Sequence, residues 1–156
     1  MLQNAGVGIV VDVRTVPRSR TNPQYNFDVL PDELSGWQIG YQRIAELGGL
    51  RGKSATVPPG VNSFWQNQSF HNYADYALSD EFEAGLAKLL ALASHRPTVI
   101  MCAESLWWRC HRRIIADYLL DRGWRVVHLM GEGREDAAKM TPAARKKDGR
   151  LVYPPE

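Results

Sequence analysis

The sequence has few cysteines, no long apolar run and little net charge, and each lack argues against a class of protein. Only Cys102 and Cys110 occur among its 156 residues, too few for the disulfide framework of a small secreted domain. No apolar run approaches the roughly 18 residues of a membrane-spanning helix, and the start shows no secretory leader. The formal net charge is only +2, so the charge of the whole protein gives little support to nucleic-acid binding. We therefore expect a cytoplasmic protein with reduced thiols and no membrane contact.

Short apolar runs alternate with amphipathic segments along the chain. The β-branched run at residues 7–14 and the run at 97–104 are typical of strands buried on both faces, and residues 37–44 and 124–130 are further candidate strands. Helical periodicity marks residues 28–36, 69–78, 79–95 and 110–122, with Ser79 or Asp80 as a cap and Gly123 at the position of a left-handed C-terminal cap. This alternation requires crossover connections. The sequence therefore predicts an α/β fold with a mostly parallel sheet and helices on both faces.

The chain shows no internal repeat and no domain boundary, so we predict one layered domain over residues 1–156. Residues 46–69 are rich in glycine and lack periodicity, which is typical of a lid, a binding loop or a disordered segment. Residues 131–156 read as a polar, partly irregular tail. This tail carries a basic run at residues 145–147 and a candidate edge strand in "RLVYP".

Chemically active residues follow two of the candidate strands. Ligands of open parallel sheets bind beyond the carboxyl ends of the strands. After the first strand come Asp12, Arg14, Arg18, Ser19 and Arg20; after the run at 97–104 come Cys102, Glu104, Arg109, Cys110, His111 and Arg112. If the two strands are neighbours, these residues form an arginine-rich pocket at a helix start, which favours a phosphate or a nucleotide. In the alternative, Arg14 forms a structural ion pair with Asp12 or Glu104, and the other arginines are solvated.

Three of these residues are candidates for catalysis, namely Cys102, Glu104 and Asp12. A thiol beside arginines and a helix start has the setting of a nucleophile, but Cys102 also fits a packed core cysteine. Glu104 beside two tryptophans suits an acid or base, or else a counter-ion for arginine. Cys110 continues the apolar stripe of the following helix and so favours packing. His111 either contacts a ligand phosphate or caps the helix.

The spacing of the cysteines and His111 matches none of the usual zinc pairs, so we predict no metal, and we predict no cofactor. A disulfide between Cys102 and Cys110 is expected to be transient at most in the cytoplasm. The aromatic residues Trp107, Trp108, Phe64 and Trp65 have two interpretations: they stack on a base or sugar of a ligand, or they fill the core under the long loop.

Five segments carry a resemblance to a known family. They are "DVRTVPRSRTNPQYN", "ELGGLRG", "FHNYADYA", "MCAESLWWRCHRRIIADYLLDRGWRVVHL" and "MTPAARKKDGRLVYP". In this order they resemble the motifs of domain-of-unknown-function family 488, whose members are layered α/β bacterial proteins without an established general activity. Some members carry DNA-repair labels. The motif positions present here are Asp12, Arg14, Pro17, Ser19, Tyr41, Gly48, Gly49, Cys102, Glu104, Cys110, His111 and Arg112.

The resemblance also implies a difference at the start of the chain. Family members usually begin with a further strand and helix, and this sequence begins inside what looks like the end of that helix. Either the start of the sequence is assigned too late, or this member has lost the strand, and a sheet that lacks it exposes an edge that pairs readily with another chain. We therefore expect a homodimer through the sheet edge.

The sequence is compatible with three functions. The first is an enzyme that acts on a phosphate-bearing or nucleotide-like ligand, with Arg14, Arg18, Arg20 and Arg112 holding the anion. The second is a non-catalytic nucleic-acid-binding module that uses the same arginines and the basic residues at 145–150. The third is a redox-responsive protein in which Cys102 and Cys110 pair reversibly.

Overall fold

The β-branched run at the start of the chain forms the central strand of a parallel sheet. In the computed structural model, which describes residues 2, 5–15, 23–102, 107–130 and 134–155, strand β1 spans Ile9–Asp12. Its side chains are all buried, as the unbroken apolar run predicts. Strands β2 (Gly40–Arg43) and β3 (Thr98–Met101) flank it in the order β2-β1-β3, both parallel to it. The predicted α/β fold with a parallel sheet is confirmed.

The described residues group into two compact units. The first consists of Met1–Gly48 and Ala84–Ala103, and the second of Gly49–Glu83 and Glu104–Glu156. The boundary falls within a single helix, α3 (Asp80–Ala93). The single domain over the whole chain stays a prediction.

The core of the first unit forms where helix α1 (Leu30–Ser35) covers the sheet. Leu30 and Leu34 of this helix pack with Val10 of β1 and with Ile39, which lies just before β2. The connection from β1 to β2 also contains one turn of 3-10 helix at Pro23–Tyr25, and a second such turn at Ala45–Leu47 follows β2. Helix α3 precedes β3 and is capped by the Ser79 hydroxyl, which accepts a hydrogen bond from the Phe82 N–H at 3.1 Å, as predicted.

Besides the first turn of α3, the described residues of the second unit form two helices and two short hairpins. They are α2 (Gln68–Tyr76), α4 (Arg112–Asp121), strand β4 (Val127–Leu129) paired with β5 (Glu135–Ala137), and strand β6 (Arg145–Lys147) paired with β7 (Arg150–Val152). A 3-10 turn at Trp107–Arg109 precedes α4. The candidate strand at 124–130 is thus present as β4, but it pairs antiparallel with β5. Strand β4 has only three residues, and a short connection leads from it to β5. Consecutive strands joined by a short connection usually pair with each other, so β5 is the partner of β4.

Aromatic side chains fill the core of the second unit. Phe82 contacts the Tyr118 ring at 5.0 Å between centroids, and Trp65 stacks on Phe70 at 4.9 Å. Trp65, from the glycine-rich segment, is therefore a core residue, as is Tyr153 from the polar tail. Tyr153 donates from its backbone N–H to the Asn62 side chain at 2.9 Å and from its hydroxyl to Asp117 at 2.8 Å.

No helix in the described part of the chain is long and apolar enough to cross a membrane.

Candidate functional site

The strand order places a topological switch point between β1 and β3. From β1 the chain moves to β2 on one side, and it later returns to β3 on the other side. In open α/β sheets, ligands bind in the crevice at the carboxyl ends of the two strands where the order reverses. The Val13 N–H donates to the Met101 carbonyl at 2.9 Å, so Arg14 and Cys102 follow directly beyond the last rung of this pair. The condition stated in the sequence analysis, that these two strands are neighbours, is met.

Asp12 is the last residue of β1 and accepts four hydrogen bonds at this edge. Its Oδ1 accepts from the Arg14 backbone N–H at 3.0 Å and from the Arg14 Nε at 2.9 Å. Its Oδ2 accepts from the Arg14 Nη2 at 2.7 Å and from the Tyr41 hydroxyl. Asp12 is 0% exposed and Arg14 only 5%. The carboxylate is thus fully occupied by Arg14, which follows β1, and by Tyr41 on β2.

The guanidinium of Arg14 is held in one orientation. Besides the two contacts with Asp12, its Nη2 donates to the Tyr25 carbonyl at 2.5 Å. Burial opposes the charge of Arg14, but the hydrogen bonds and charge of Asp12, together with Tyr41, raise the pKa of Arg14 above its ordinary value. Among the described residues, Arg14 Nη1 donates no hydrogen bond. The cluster therefore uses the Nε and Nη2 of Arg14 and not its Nη1.

Tyr41 completes the cluster from the neighbouring strand. Burial, followed by the hydrogen bond to Asp12 and its negative charge, raises the pKa of Tyr41 to about 12. The phenol is therefore protonated near neutral pH and donates to the carboxylate. This contact gives a structural reason for the motif tyrosine.

Arg43 was missed by the sequence reasoning, although it also stands at a strand end. Its Nη2 donates to the Thr15 carbonyl at 2.6 Å and lies 3.5 Å from the Arg14 carbonyl. The Arg43 side chain therefore holds the backbone carbonyls at positions 14 and 15, the last described residues before the range 16–22. Ligands of parallel sheets bind beyond the carboxyl ends of the strands, and the same rule applied to β2 would have selected Arg43.

Not every predicted site residue can be placed at this edge. Cys102 follows β3 and is partly exposed. Arg18, Ser19, Arg20 and Glu104 lie outside the described residues. The structure thus joins Asp12, Arg14 and Tyr41 in direct contact and places Cys102 on the neighbouring strand end.

The remaining predicted residues, Arg109, His111 and Arg112, belong to the second unit. There the Cys110 sulfur lies 3.3 Å from His111 Nδ1 and accepts from the Arg112 N–H at 3.4 Å. Cys110 is buried at the start of α4, as its place in the apolar stripe predicted. Both cysteines are described, and no disulfide joins them.

The two motif glycines leave room for close neighbours. A Cβ at Gly48 would lie 2.8 Å from the Thr15 hydroxyl oxygen and 3.2 Å from its Cα, within the first unit. A Cβ at Gly49 would lie 2.4 Å from His111 Nδ1, within the second unit. Any larger residue at either position must displace these atoms. Packing therefore explains both glycines.

The tryptophans at residues 107 and 108 differ in their surroundings. The Trp107 ring stacks on His128, with 4.0 Å between centroids and 2° between planes. Burial and the charge of Arg112 lower the pKa of His128, while Asp136 opposes this shift. Trp108 is 41% exposed and meets Trp107 edge-on at 5.6 Å between ring centroids. Trp107 therefore already has an aromatic partner within the protein.

Comparison with known proteins identifies the family. The family described as "Domain of unknown function DUF488" matches residues 1–119. This chain belongs to the DUF488 family. The DUF488 match contains the whole first unit and all motif positions from Asp12 to Arg112. No curated protein and no solved structure matches the chain.

Proposed function

We propose that this DUF488 protein is an enzyme that acts on a phosphate-bearing or nucleotide-like ligand at the carboxyl ends of β1 and β3. The observation that carries the proposal is the position of the buried cluster of Asp12, Arg14 and Tyr41 at the topological switch point. An arginine held rigidly at such a point is suited to recognise an anion.

The charges in this cluster define what each residue contributes. Asp12 balances the charge of Arg14 and accepts four hydrogen bonds. We therefore assign Asp12 to positioning Arg14, not to proton transfer. The net positive charge for a phosphate then has to come from Arg18 and Arg20, with Ser19 as a further donor.

The reactive groups in this proposal follow β3. Cys102 supplies the nucleophile and Glu104 supplies the acid or base. Cys102 comes directly after β3, which is hydrogen bonded to β1, and Glu104 follows two positions later in the sequence. The role of Glu104 rests on the two tryptophans that follow it in the sequence, since an apolar setting suits an acid or base.

Calorimetric titration with inorganic phosphate and with nucleoside mono-, di- and triphosphates tests the binding. We expect Arg18→Ala and Arg20→Ala each to weaken binding by about tenfold or more, the effect of one charge-assisted hydrogen bond. Arg96→Ala is the matched control. Arg96 donates to the Gly8 carbonyl at the amino ends of the same strands, so its loss leaves the affinity unchanged. Absence of binding, or equal losses in all three variants, contradicts the proposal.

Glu104→Gln and Cys102→Ser test the chemistry separately. Both variants should retain nucleotide binding, because neither removes an arginine, and both should lose turnover of whichever nucleotide the unmodified protein converts. Unchanged turnover in either variant removes that residue from its assigned role.

The basic hairpin of β6 and β7 favours a second candidate, a nucleic-acid-binding module. Arg145, Lys146 and Lys147 are all exposed, although Lys146 lies 3.6 Å from Asp121 and Arg150 lies near Asp80 and Glu83. A nucleic-acid complex weakens steeply with salt as counterions are released. Binding of an oligonucleotide that falls with salt and with Lys147→Ala supports this candidate, whereas salt-independent or absent binding removes it.

The cellular setting and assembly belong to the same proposal. The low cysteine content supports a reducing cytoplasm. Gln42 and Arg43 are exposed on β2, an outer strand of the described sheet, which supports pairing of two copies through this edge. Light scattering that gives the mass of a monomer at micromolar concentration contradicts the dimer.

A further inference from the structure

Tyr25 carries an exposed aromatic ring close to the buried cluster at the carboxyl end of β1. Its side chain is 48% exposed. Within the described part of the chain, the ring contacts no other aromatic ring and no cation, and the hydroxyl makes no hydrogen bond. A single exposed aromatic residue is ordinary on a protein surface. The position of Tyr25 beside Arg14 is what gives it a functional meaning.

The backbone of Tyr25 is anchored to this cluster. Its carbonyl accepts a hydrogen bond from the Arg14 Nη2 at 2.5 Å. Two bonds separate this oxygen from the Tyr25 Cα, so the side chain begins about 5 Å or less from the guanidinium nitrogen. The Asn26 N–H donates to the Pro23 carbonyl at 3.1 Å and closes the 3-10 turn that contains Tyr25. The ring is therefore attached to a well-held backbone at the edge where the ligand is proposed to bind.

The proposed phosphate donors and Tyr25 belong to one connection of the chain. Arg18 and Arg20 lie between β1 and Tyr25 in the sequence. In a nucleotide a single sugar separates the phosphate from a flat aromatic base, and bases stack on tyrosine rings. A tyrosine has only two χ angles, so ordering its ring against a ligand costs little conformational entropy. An arginine-bound phosphate and a base on Tyr25 are thus complementary contacts.

We propose that the base of a nucleotide stacks on Tyr25 while its phosphate occupies the site at β1 and β3. This inference rests on the proposed function, because it names the substrate class of the same site as nucleoside phosphates and not simple sugar phosphates. The four aromatic residues that the sequence suggested for stacking lie in the second unit, whereas Tyr25 shares the first unit with Asp12 and Arg14.

Calorimetric titration of the full chain with ribose 5-phosphate and with the ribonucleoside 5′-monophosphates tests the proposal. These compounds share the sugar and the phosphate, and only the monophosphates carry a base. We expect the monophosphates to bind about tenfold more tightly or better, the effect of one base stacked on an aromatic ring. Equal affinity of ribose 5-phosphate overturns this inference and leaves the proposed function standing. Failure of both kinds of compound to bind overturns the two together.

Two substitutions of Tyr25 assign the stacking contact. Tyr25→Leu should lower the affinity for the monophosphates to that for ribose 5-phosphate, whereas Tyr25→Phe retains a ring and should keep the preference. Neither removes the hydrogen bond from Arg14, because the acceptor is a backbone carbonyl.

Trp37→Ala is the matched control for these variants. Trp37 is an aromatic residue of the same unit, 59% exposed, and it precedes the amino end of β2, at the opposite edge of the sheet. This variant should keep the full preference for the monophosphates. A preference that survives Tyr25→Leu, or that Trp37→Ala abolishes equally, overturns the assignment to Tyr25.

Discussion

At the scale of single residues, the stability of the first unit depends on a buried ion pair. Arg14 is almost completely buried, and Asp12 supplies its only described countercharge. Removing one member of a buried pair leaves the other charge without compensation. An exposed pair, such as Lys88 with Glu46 at 2.8 Å, lacks this dependence because water screens both groups.

We predict that Asp12→Asn lowers the free energy of unfolding by about 3 kcal/mol, because Arg14 is left buried with a neutral partner. Lys88→Gln, which removes the exposed pair in the same unit, should cost less than about 1 kcal/mol. Urea denaturation followed by circular dichroism measures both changes. If the two variants are equally stable, the Asp12–Arg14 pair does not have the energetic role assigned to it.

Tyr41 predicts how stability depends on alkaline pH. Its pKa is about 12 in the folded protein and about 10 in an unfolded chain. Between these values the folded state retains a proton that the unfolded state has lost, so the stability contributed by Tyr41 is complete below pH 10 and decreases as the pH rises towards 12. Tyr41→Phe should therefore make the alkaline loss of stability shallower.

The size of this change is set by one proton, at most about 1.4 kcal/mol per pH unit. Denaturation of the two proteins across this pH range measures it. Tyr118→Phe is a positive control, because burial raises the pKa of Tyr118 to about 12 as well. A slope that decreases in the Tyr118 variant but not in the Tyr41 variant contradicts the assigned proton.

At the scale of elements, two helices end with the same backbone arrangement but with different residues. After α1 the Ile39 N–H donates to the Leu34 carbonyl at 3.0 Å, and Gln38 has φ 60°. After α4 the Trp124 N–H donates to the Leu119 carbonyl at 3.1 Å, and Gly123 has φ 84°. This is the Schellman arrangement, in which the left-handed position favours glycine.

We predict that Gln38→Gly raises the free energy of unfolding by about 0.5–1 kcal/mol and that Gly123→Ala lowers it by about 1 kcal/mol. A Cβ at Gly123 would have no heavy atom within 4 Å, so backbone strain alone sets the cost. Thermal denaturation of the two variants measures both. Opposite signs are required; a loss of stability in both variants contradicts this explanation.

Helices and buried strands could be predicted from sequence where the apolar pattern was long. The stripe of Phe82, Leu86 and Leu89 indicated α3, and the run ending at Asp12 indicated β1. The partner of β4 could not be predicted, because three partly buried residues fit either a parallel or an antiparallel neighbour. The burial of Tyr153 could not be predicted either, because the residue follows a short polar hairpin in the sequence.

The chemistry of the site could be predicted only in part. The strand-end rule selected Asp12, Arg14 and Cys102, and the family resemblance added Tyr41. Whether the Arg14 guanidinium pairs with Asp12 or points towards a ligand depends on the side-chain χ angles. The spacing of the two residues in the sequence does not determine these angles. The structure shows the pair, with one guanidinium nitrogen without a described protein acceptor.

At the scale of the whole molecule, the C-terminal segment belongs to the core of the second unit. Leu151 and Tyr153 are buried, and the Tyr118 hydroxyl accepts from the Leu151 N–H at 3.2 Å. We predict that removal of residues 149–156 lowers the free energy of unfolding by more than about 3 kcal/mol, the cost of deleting one large buried side chain. Removal of residues 155–156 alone should have little effect, because Pro155 is exposed.

Tryptophan fluorescence during denaturation measures this change, because Trp65 is one of the five tryptophans and Tyr153 meets its ring at 5.2 Å. Equal stability of the two truncated proteins would show that the segment is dispensable.

The proposed function requires that a phosphate-bearing ligand occupies the carboxyl ends of β1 and β3. Amide NMR spectra recorded during titration with a nucleotide test it most directly, because the amides of Val13, Arg14 and Cys102 lie at this edge, while those of Gly8 and Gly40 lie at the opposite ends of the strands. We predict saturable shifts at the first three and none at the two glycines. Shifts confined to the glycine edge, or no shift at either edge, would contradict the claim.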